Sequence, residues 1–192
     1  MTKTRRPGQG PGRPSSRDAM LDAAEAIVVA HGAVRLTLDA VAREAGVSKG
    51  GVMYHFPSKN ALLEALVSRA VERSHAAREA QADKLPDAPA RALHAYVRAS
   101  INDPLHNDRV SGALLSVVAS DPKLMAPVRD FFRKRLPAIS EGVPFERAAL
   151  VHLATEGLWL MELFRVSPFT RAQRARIKDL LTRLATGGGQ VP

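Results

Sequence analysis

Apolar residues in this 192-residue chain recur at three- and four-residue intervals, and prolines and glycines cut that repeat into helix-sized pieces. No stretch alternates apolar and polar residues in the way a strand requires, so the period predicts an all-α fold. In "RDAMLDAAEAIVVAHG", Met20, Ala23, Ala24, Ile27 and Val28 share a face; Ser15 and Ser16 are candidate caps before it and Gly32 is its stop. After Thr37, "LDAVAREAG" makes a second helix of about two turns, with Leu38, Val41, Ala42 and Ala45 on one face and Gly46 at its end. Ser48 caps a third helix that Pro57 ends, and Ser58 opens a long one, 58–84, striped by Leu62, Leu63, Leu66, Ala70 and Val71. Further helices are expected at 89–101, about 108–120, 122–140, 144–165 and 170–186.

The layout divides into a flexible basic arm (1–17), a head of short helices (18–60), a longer helical body (61–186) and a tail (187–192). The arm holds Lys3, Arg5, Arg6, Arg13 and Arg17 with no acid, among three prolines and three glycines. Such a composition buries no apolar surface. The whole chain carries 28 basic and 19 acidic residues, a formal net charge of +9, so a polyanionic partner is expected. There is no cysteine, which excludes disulfides, thiolate metal sites and cysteine nucleophiles. The N-terminus lacks the apolar run of a secretory signal, and the most apolar segment, 148–164, contains His152, Glu156 and Glu162. A cytoplasmic protein without membrane spans is expected.

Within this plan the sequence "GVSKGGVMYHFPSKN", 46–60, is anomalous, because Gly50 and Gly51 fall in the first turn of a helix. Each costs roughly 1 kcal/mol of helix stability at most, and each leaves the backbone bare for close approach to another molecule. A short helix, a turn on Gly46, a second short helix and a proline boundary make a helix-turn-helix, whose second helix enters the DNA major groove. Ser48 and Lys49 then supply a cap and a cation, Tyr54 and His55 polar ring tips, and Lys59 a charge for phosphate. His55 reads equally as a structural residue bonded to backbone. Arg13 and Arg17 suit minor-groove insertion, and the arm reads equally as a solubilising tail.

Leu36 to Leu66, "LTLDAVAREAGVSKGGVMYHFPSKNALLEAL", resembles the DNA-binding head of the TetR (tetracycline-repressor-like) transcriptional regulators. The resemblance implies DNA-facing positions at Thr37, Ser48, Lys49, Gly50, Gly51, Tyr54, His55 and Lys59. It also implies a homodimer, a double-stranded two-fold operator and release of that operator on binding a small-molecule effector. Met53 stands where many family members carry a tyrosine that touches phosphate.

In the body, apolar residues cover most of the circumference of 144–165, more than one subunit can bury. Leu158 and Met161 there, with the narrow stripe Ile177, Leu180, Leu181 and Leu184, are expected to pair with their symmetry mates as a four-helix interface. An apolar effector cavity is expected from Leu114, Met125, Phe131, Phe132, His152, Glu156 and Trp159. Glu156 reads either as a handle for a cationic ligand or as a charge paired at an interface or exposed at a bundle edge. The run "FFRKR", 131–135, reads as a solvated face. The six histidines show no metal-ligand or paired-carboxylate spacing, so no catalytic residue, cofactor or metal is expected. The alternatives to a ligand-responsive repressor are a ligand-independent DNA-binding protein and an all-α enzyme.

Overall fold

Every helix of the N-terminal part starts on a serine or threonine whose hydroxyl oxygen accepts a backbone N–H three residues ahead. In the computed structural model, which describes residues 15–101, 110–114 and 123–187, Ser15 caps α1 (Ser16–His31) and Thr37 caps α2 (Leu38–Glu44). Ser48 caps α3 (Lys49–His55) and Ser58 caps α4 (Lys59–Ala82). The four N···O distances lie between 3.0 and 3.1 Å. Each cap is worth about 1 kcal/mol, which matters most for α2 and α3, whose seven residues are too few to hold a helix alone. Then follow α5 (Arg91–Ile101), α6 (Met125–Ile139), α7 (Phe145–Leu163) and α8 (Arg171–Thr186), the last begun by a reciprocal capping box between Thr170 and Gln173. Residues 110–114 are also helical, and a single 3-10 turn at Ala33–Arg35 joins α1 to α2. Among the described residues there is no strand.

Two apolar cores organise these helices. The first gathers α1, α2, α3 and the N-terminal half of α4 around Leu21, Leu36, Val41, Val52, Phe56 and Leu62, and is closed by Val110, Leu114 and Leu124 from the body. The second gathers α5, the end of α6, α7 and α8 around Tyr96, Val97, Val151 and Leu181. Helix α4 is shared: Leu62, Leu63, Leu66 and Val67 are buried in the first core, whereas Ala70 and Val71 face a cavity.

Part of the expected dimer stripe packs within its own subunit. Leu181 and Leu184 are buried in their own subunit's second core, with Ile177 and Leu180 half-buried against it, because α8 packs on α5 and α7. Leu158 is also buried within the subunit. Among the described residues, several exposed apolar side chains gather on α7: Leu150, Leu153, Leu160 and Met161, with Phe164 just beyond the helix.

One charged side chain sits inside the first core's margin. Glu25 on α1 is 4% exposed and accepts hydrogen bonds from Arg69 Nε (2.8 Å) and Arg73 Nη1 (2.8 and 2.9 Å), both on α4. Arg69 also reaches Asp22 at 2.7 Å. Removing one partner of a buried ion pair costs about 3 kcal/mol, because the other charge is left in a site that was built around its neutralisation. Glu25→Gln is therefore expected to lower the melting temperature by roughly 6–12 °C, at about 2–4 °C per kcal/mol for a chain of this size, as read by calorimetry.

Candidate functional site

The turn between α2 and α3 rests on Gly46 at φ 66°, a left-handed conformation that a side chain disfavours. Its closure is completed by Val47 N–H donating to the Ala42 carbonyl at 2.9 Å. Val41, Val52 and Phe56 are buried and fix α3 against α1 and α2. The opposite side of α3 faces outward, with Lys49, Gly50, Met53 and Tyr54 all exposed and Tyr54 at 85%.

The residues expected to face DNA lie on α3 and at the starts of α2 and α4, though not all are free. Thr37 and Ser48 use their hydroxyl oxygens as cap acceptors, which leaves each O–H proton available to donate. Lys49 Nζ is paired with Asp39 Oδ2 at 3.1 Å, an exposed bridge between α3 and α2. Lys59 Nζ donates to the Val34 carbonyl at 3.4 Å, and His55 Nε2 lies 3.3 Å from Ser16 Oγ, tying α3 to the start of α1. The Arg17 guanidinium lies 5.4 Å from the centre of the Phe56 ring. Arg13 falls outside the described residues. A Cβ added at Gly50 or Gly51 would meet nothing nearer than Ser48 Oγ, at 3.9 and 3.4 Å, so the fold itself does not demand either glycine.

A second site lies where α4, α5, α6 and α7 enclose a cavity of about 210 Å³. Of the residues named for an effector cavity, Leu114, Phe131, Phe132, Glu156 and Trp159 line it. Two expectations are corrected: Met125 packs instead against the first core, and His152 stands behind the wall, its Nδ1 3.0 Å from the Tyr96 hydroxyl. The run "FFRKR" is likewise not all solvated, since Arg135 is 8% exposed and lines the cavity while Arg133 and Lys134 remain exposed. The sequence reading missed Tyr96, Arg78, Arg73 and Glu25, which also line it.

These groups form a connected polar chain. Tyr96 donates its hydroxyl proton to Glu156 Oε1 at 3.0 Å, and Arg135 Nη1 donates to the same oxygen. With its proton committed, the Tyr96 oxygen accepts from His152 Nδ1, which fixes that ring's tautomer. Burial, then the Glu156 charge, pushes the Tyr96 hydroxyl far above its ordinary range, so it stays protonated. Burial also pushes His152 below its ordinary value, so it is neutral near pH 7. Among the described residues no cluster of three metal-ligating side chains exists, and no helix is long and apolar enough to cross a membrane.

A helix-turn-helix on a capped three-helix head, joined to a helical body with an internal cavity, defines a class of DNA-binding transcriptional regulators. Two family models match the chain, "Bacterial regulatory proteins, tetR family" over residues 20–66 and "Tetracyclin repressor-like, C-terminal domain" over 90–186. The chain belongs to the TetR family of transcriptional regulators. It is 29% identical over 173 residues to the HTH-type transcriptional regulator BetI of Serratia proteamaculans, covering 84% of this chain and 87% of that one. Its fold is similar to a TetR-family transcriptional regulator from Rhodococcus sp., with a TM-score of 0.72 at 21% identity over 90% of this chain and 97% of that chain. It is also similar in fold to the multidrug binding protein EbrR complexed with ethidium, with a TM-score of 0.64 at 22% identity over 88% and 98%.

Because neither glycine is needed by the fold, Gly51→Ala separates stability from DNA contact. The alanine is expected to raise the melting temperature by roughly 2–4 °C, from up to about 1 kcal/mol of added helix propensity. The same substitution is expected to weaken operator binding at least about tenfold, read by fluorescence anisotropy. Unchanged affinity would remove close approach as the reason for the pair.

Proposed function

We propose that the chain is a ligand-responsive repressor that binds a two-fold operator as a homodimer and leaves it when a small molecule occupies the cavity. In this reading residues 18–60 read DNA through Thr37, Ser48, Lys49, Gly50, Gly51, Tyr54, His55 and Lys59, with Arg13 and Arg17 from the arm on the flanks. Residues 61–186 form the sensing and pairing body. The observation that carries the reading is that one cavity is lined both by Glu25, on α1 of the head, and by Glu156 and Trp159, on α7 of the body. EbrR, similar in fold, is described as a multidrug binding protein, which supports small-molecule capture here.

Only a ligand with unequal affinity for two arrangements shifts their populations. A ligand that reorders Arg73 changes the partner of Glu25, and thereby the seating of α1 on α4, while leaving the buried leucines of the first core in place. The seating of α1 in turn sets where α3 points. The DNA retained by the protein from its own genome identifies an operator, and compounds that raise the melting temperature are then titrated against that complex. Effectors are expected to lower operator affinity at least about tenfold. Compounds that bind the cavity and leave operator affinity unchanged would establish a ligand-independent regulator instead.

For pairing, the exposed α7 residues Leu150, Leu153 and Met161, with Phe164 at its C-terminal end, recur at helical spacing, a stripe suited to a second copy of itself. Leu153 is 67% exposed in the single chain, so Leu153→Glu leaves the fold intact and places like charges in the shared seam. Light scattering is expected to give a folded monomer, with two-fold operator affinity collapsed. Leu184→Glu, within the subunit's own core, is expected to unfold the chain rather than only divide it.

A further inference from the structure

Among the described residues the charges that line the cavity do not balance. Toward the head, Arg69 and Arg73 are matched by Asp22 and Glu25. Toward the body, two guanidiniums, Arg78 on α4 and Arg135 on α6, meet the single carboxylate of Glu156. That carboxylate is held by Arg135 Nη1 and by the Tyr96 hydroxyl. Arg78 has no carboxylate within ion-pair distance among the described residues; its Nη1 donates to Ser74 Oγ at 3.1 Å, and its Cζ lies 5.1 Å from the Phe131 ring centre. The adjacent Glu79 is exposed and lies 3.3 Å from His75 instead.

Arg135 leaves a second donor open. Its Nε is buried and makes no hydrogen bond, a costly state for a guanidinium group. The two arginines share the Phe131 ring, Arg135 Cζ at 3.9 Å from its centre, so they are near neighbours. Burial, and then Arg135 beside it, pull Arg78 down to about 10, which keeps it a cation at neutral pH while making its charge unfavourable.

The aromatic surroundings argue against a cationic ligand. Phe131, Phe132 and Tyr96 would make a cage for a ligand cation, but Arg135 already occupies it, with Cζ at 3.9, 4.9 and 5.5 Å from the three ring centres. A ligand cation would find the cage filled, the carboxylate engaged and two like charges beside it. An anion would find the Arg78 guanidinium without a carboxylate partner among the described residues, and the unused N–H of Arg135. Guanidinium groups match the planar fork of a carboxylate, and the remaining wall is apolar, from Val71, Leu114 and Trp159.

We propose that the cavity takes an amphipathic organic monocarboxylate, its carboxylate bridging Arg78 and Arg135 Nε and its apolar body lying along Val71, Leu114 and Trp159. This rests on the sensor reading above and deepens it by naming the effector's class.

Trp159 is the chain's only tryptophan and lines the cavity, so its fluorescence reports on the site directly. The full chain is titrated with three probes that share one body and differ in head group: 4-phenylbutyrate, 4-phenylbutanol and 4-phenylbutylamine. The carboxylate is expected to bind at least about tenfold more tightly than the alcohol, and the amine most weakly. Arg78→Gln is expected to reduce the carboxylate to the alcohol's affinity while leaving the alcohol's own affinity unchanged, which also shows that the variant is folded. In the unmodified chain, iodide is expected to quench Trp159 more strongly than caesium at matched ionic strength. An amine or alcohol that binds as tightly as the carboxylate, a preference that survives Arg78→Gln, or equal quenching by the two ions would overturn the assignment. Operator titration separates the two readings. Release by the amine with no carboxylate preference keeps the sensor and removes this class, whereas carboxylate preference without operator release keeps the class and removes the sensor.

Discussion

Glu25 is the charge on which the relation of head to body depends. A carboxylate buried in the margin of an apolar core is tolerable only because two arginines from another helix meet it there. The leucines of α1 and α4 are compatible with several small slides of one helix on the other, since dispersion and burial have little directionality. Hydrogen bonds of 2.8 to 2.9 Å to specific oxygens are not. The pairing thus gives α1 one preferred seat on α4. It does so beside the cavity, where the ligand environment and the ion cluster share Arg73 and Glu25.

The division into two cores gives this placement its reach. The first core includes Val110, Leu114 and Leu124, so the head is not a bead on a string but is packed into the body by apolar contact. The second core, around Tyr96, Val151 and Leu181, is distinct. Helix α4 contributes its first half to one core and its Ala70–Val71 stretch to the space between, so a change in that space acts on an element already committed to the head.

The helices and the head were legible in the sequence because local signals specify them: four hydroxyl caps, a left-handed glycine at 46 and the apolar period all act within a few residues. Leu181 and Leu184 carry the same spacing whether they meet α5 of their own chain or a helix of another, so the burial of both within the subunit was not legible; periodicity marks a face and not its partner. The cavity's apolar lining was partly legible, and its arginines were not. Arg135 sits in a basic run beside the exposed Arg133 and Lys134, and nothing local distinguishes the buried one. Two signals did exist. Glu25 lies on the apolar face between Leu21 and Val28, where an acid needs a buried partner, and Tyr96 is one of only two tyrosines, placed on a stripe where its hydroxyl has to find one.

The bridge from Lys49 to Asp39 bears on how selectively a polyanion attaches. A lysine alone on the outer face of α3 would attract any phosphate that drifted past, in proportion to charge and without regard to sequence. Here the ammonium already rests on a carboxylate, so a passing backbone must displace an internal competitor before it gains that contact. An exposed pair of this kind is worth about 0.2–1 kcal/mol, a factor of up to about five in population. That is enough to blunt loose attachment and too little to resist a duplex whose other contacts hold the lysine in place. If α3 reads DNA as proposed, Asp39 shifts part of the surface's positive charge from a general attractant toward one that is felt most fully once a duplex is docked.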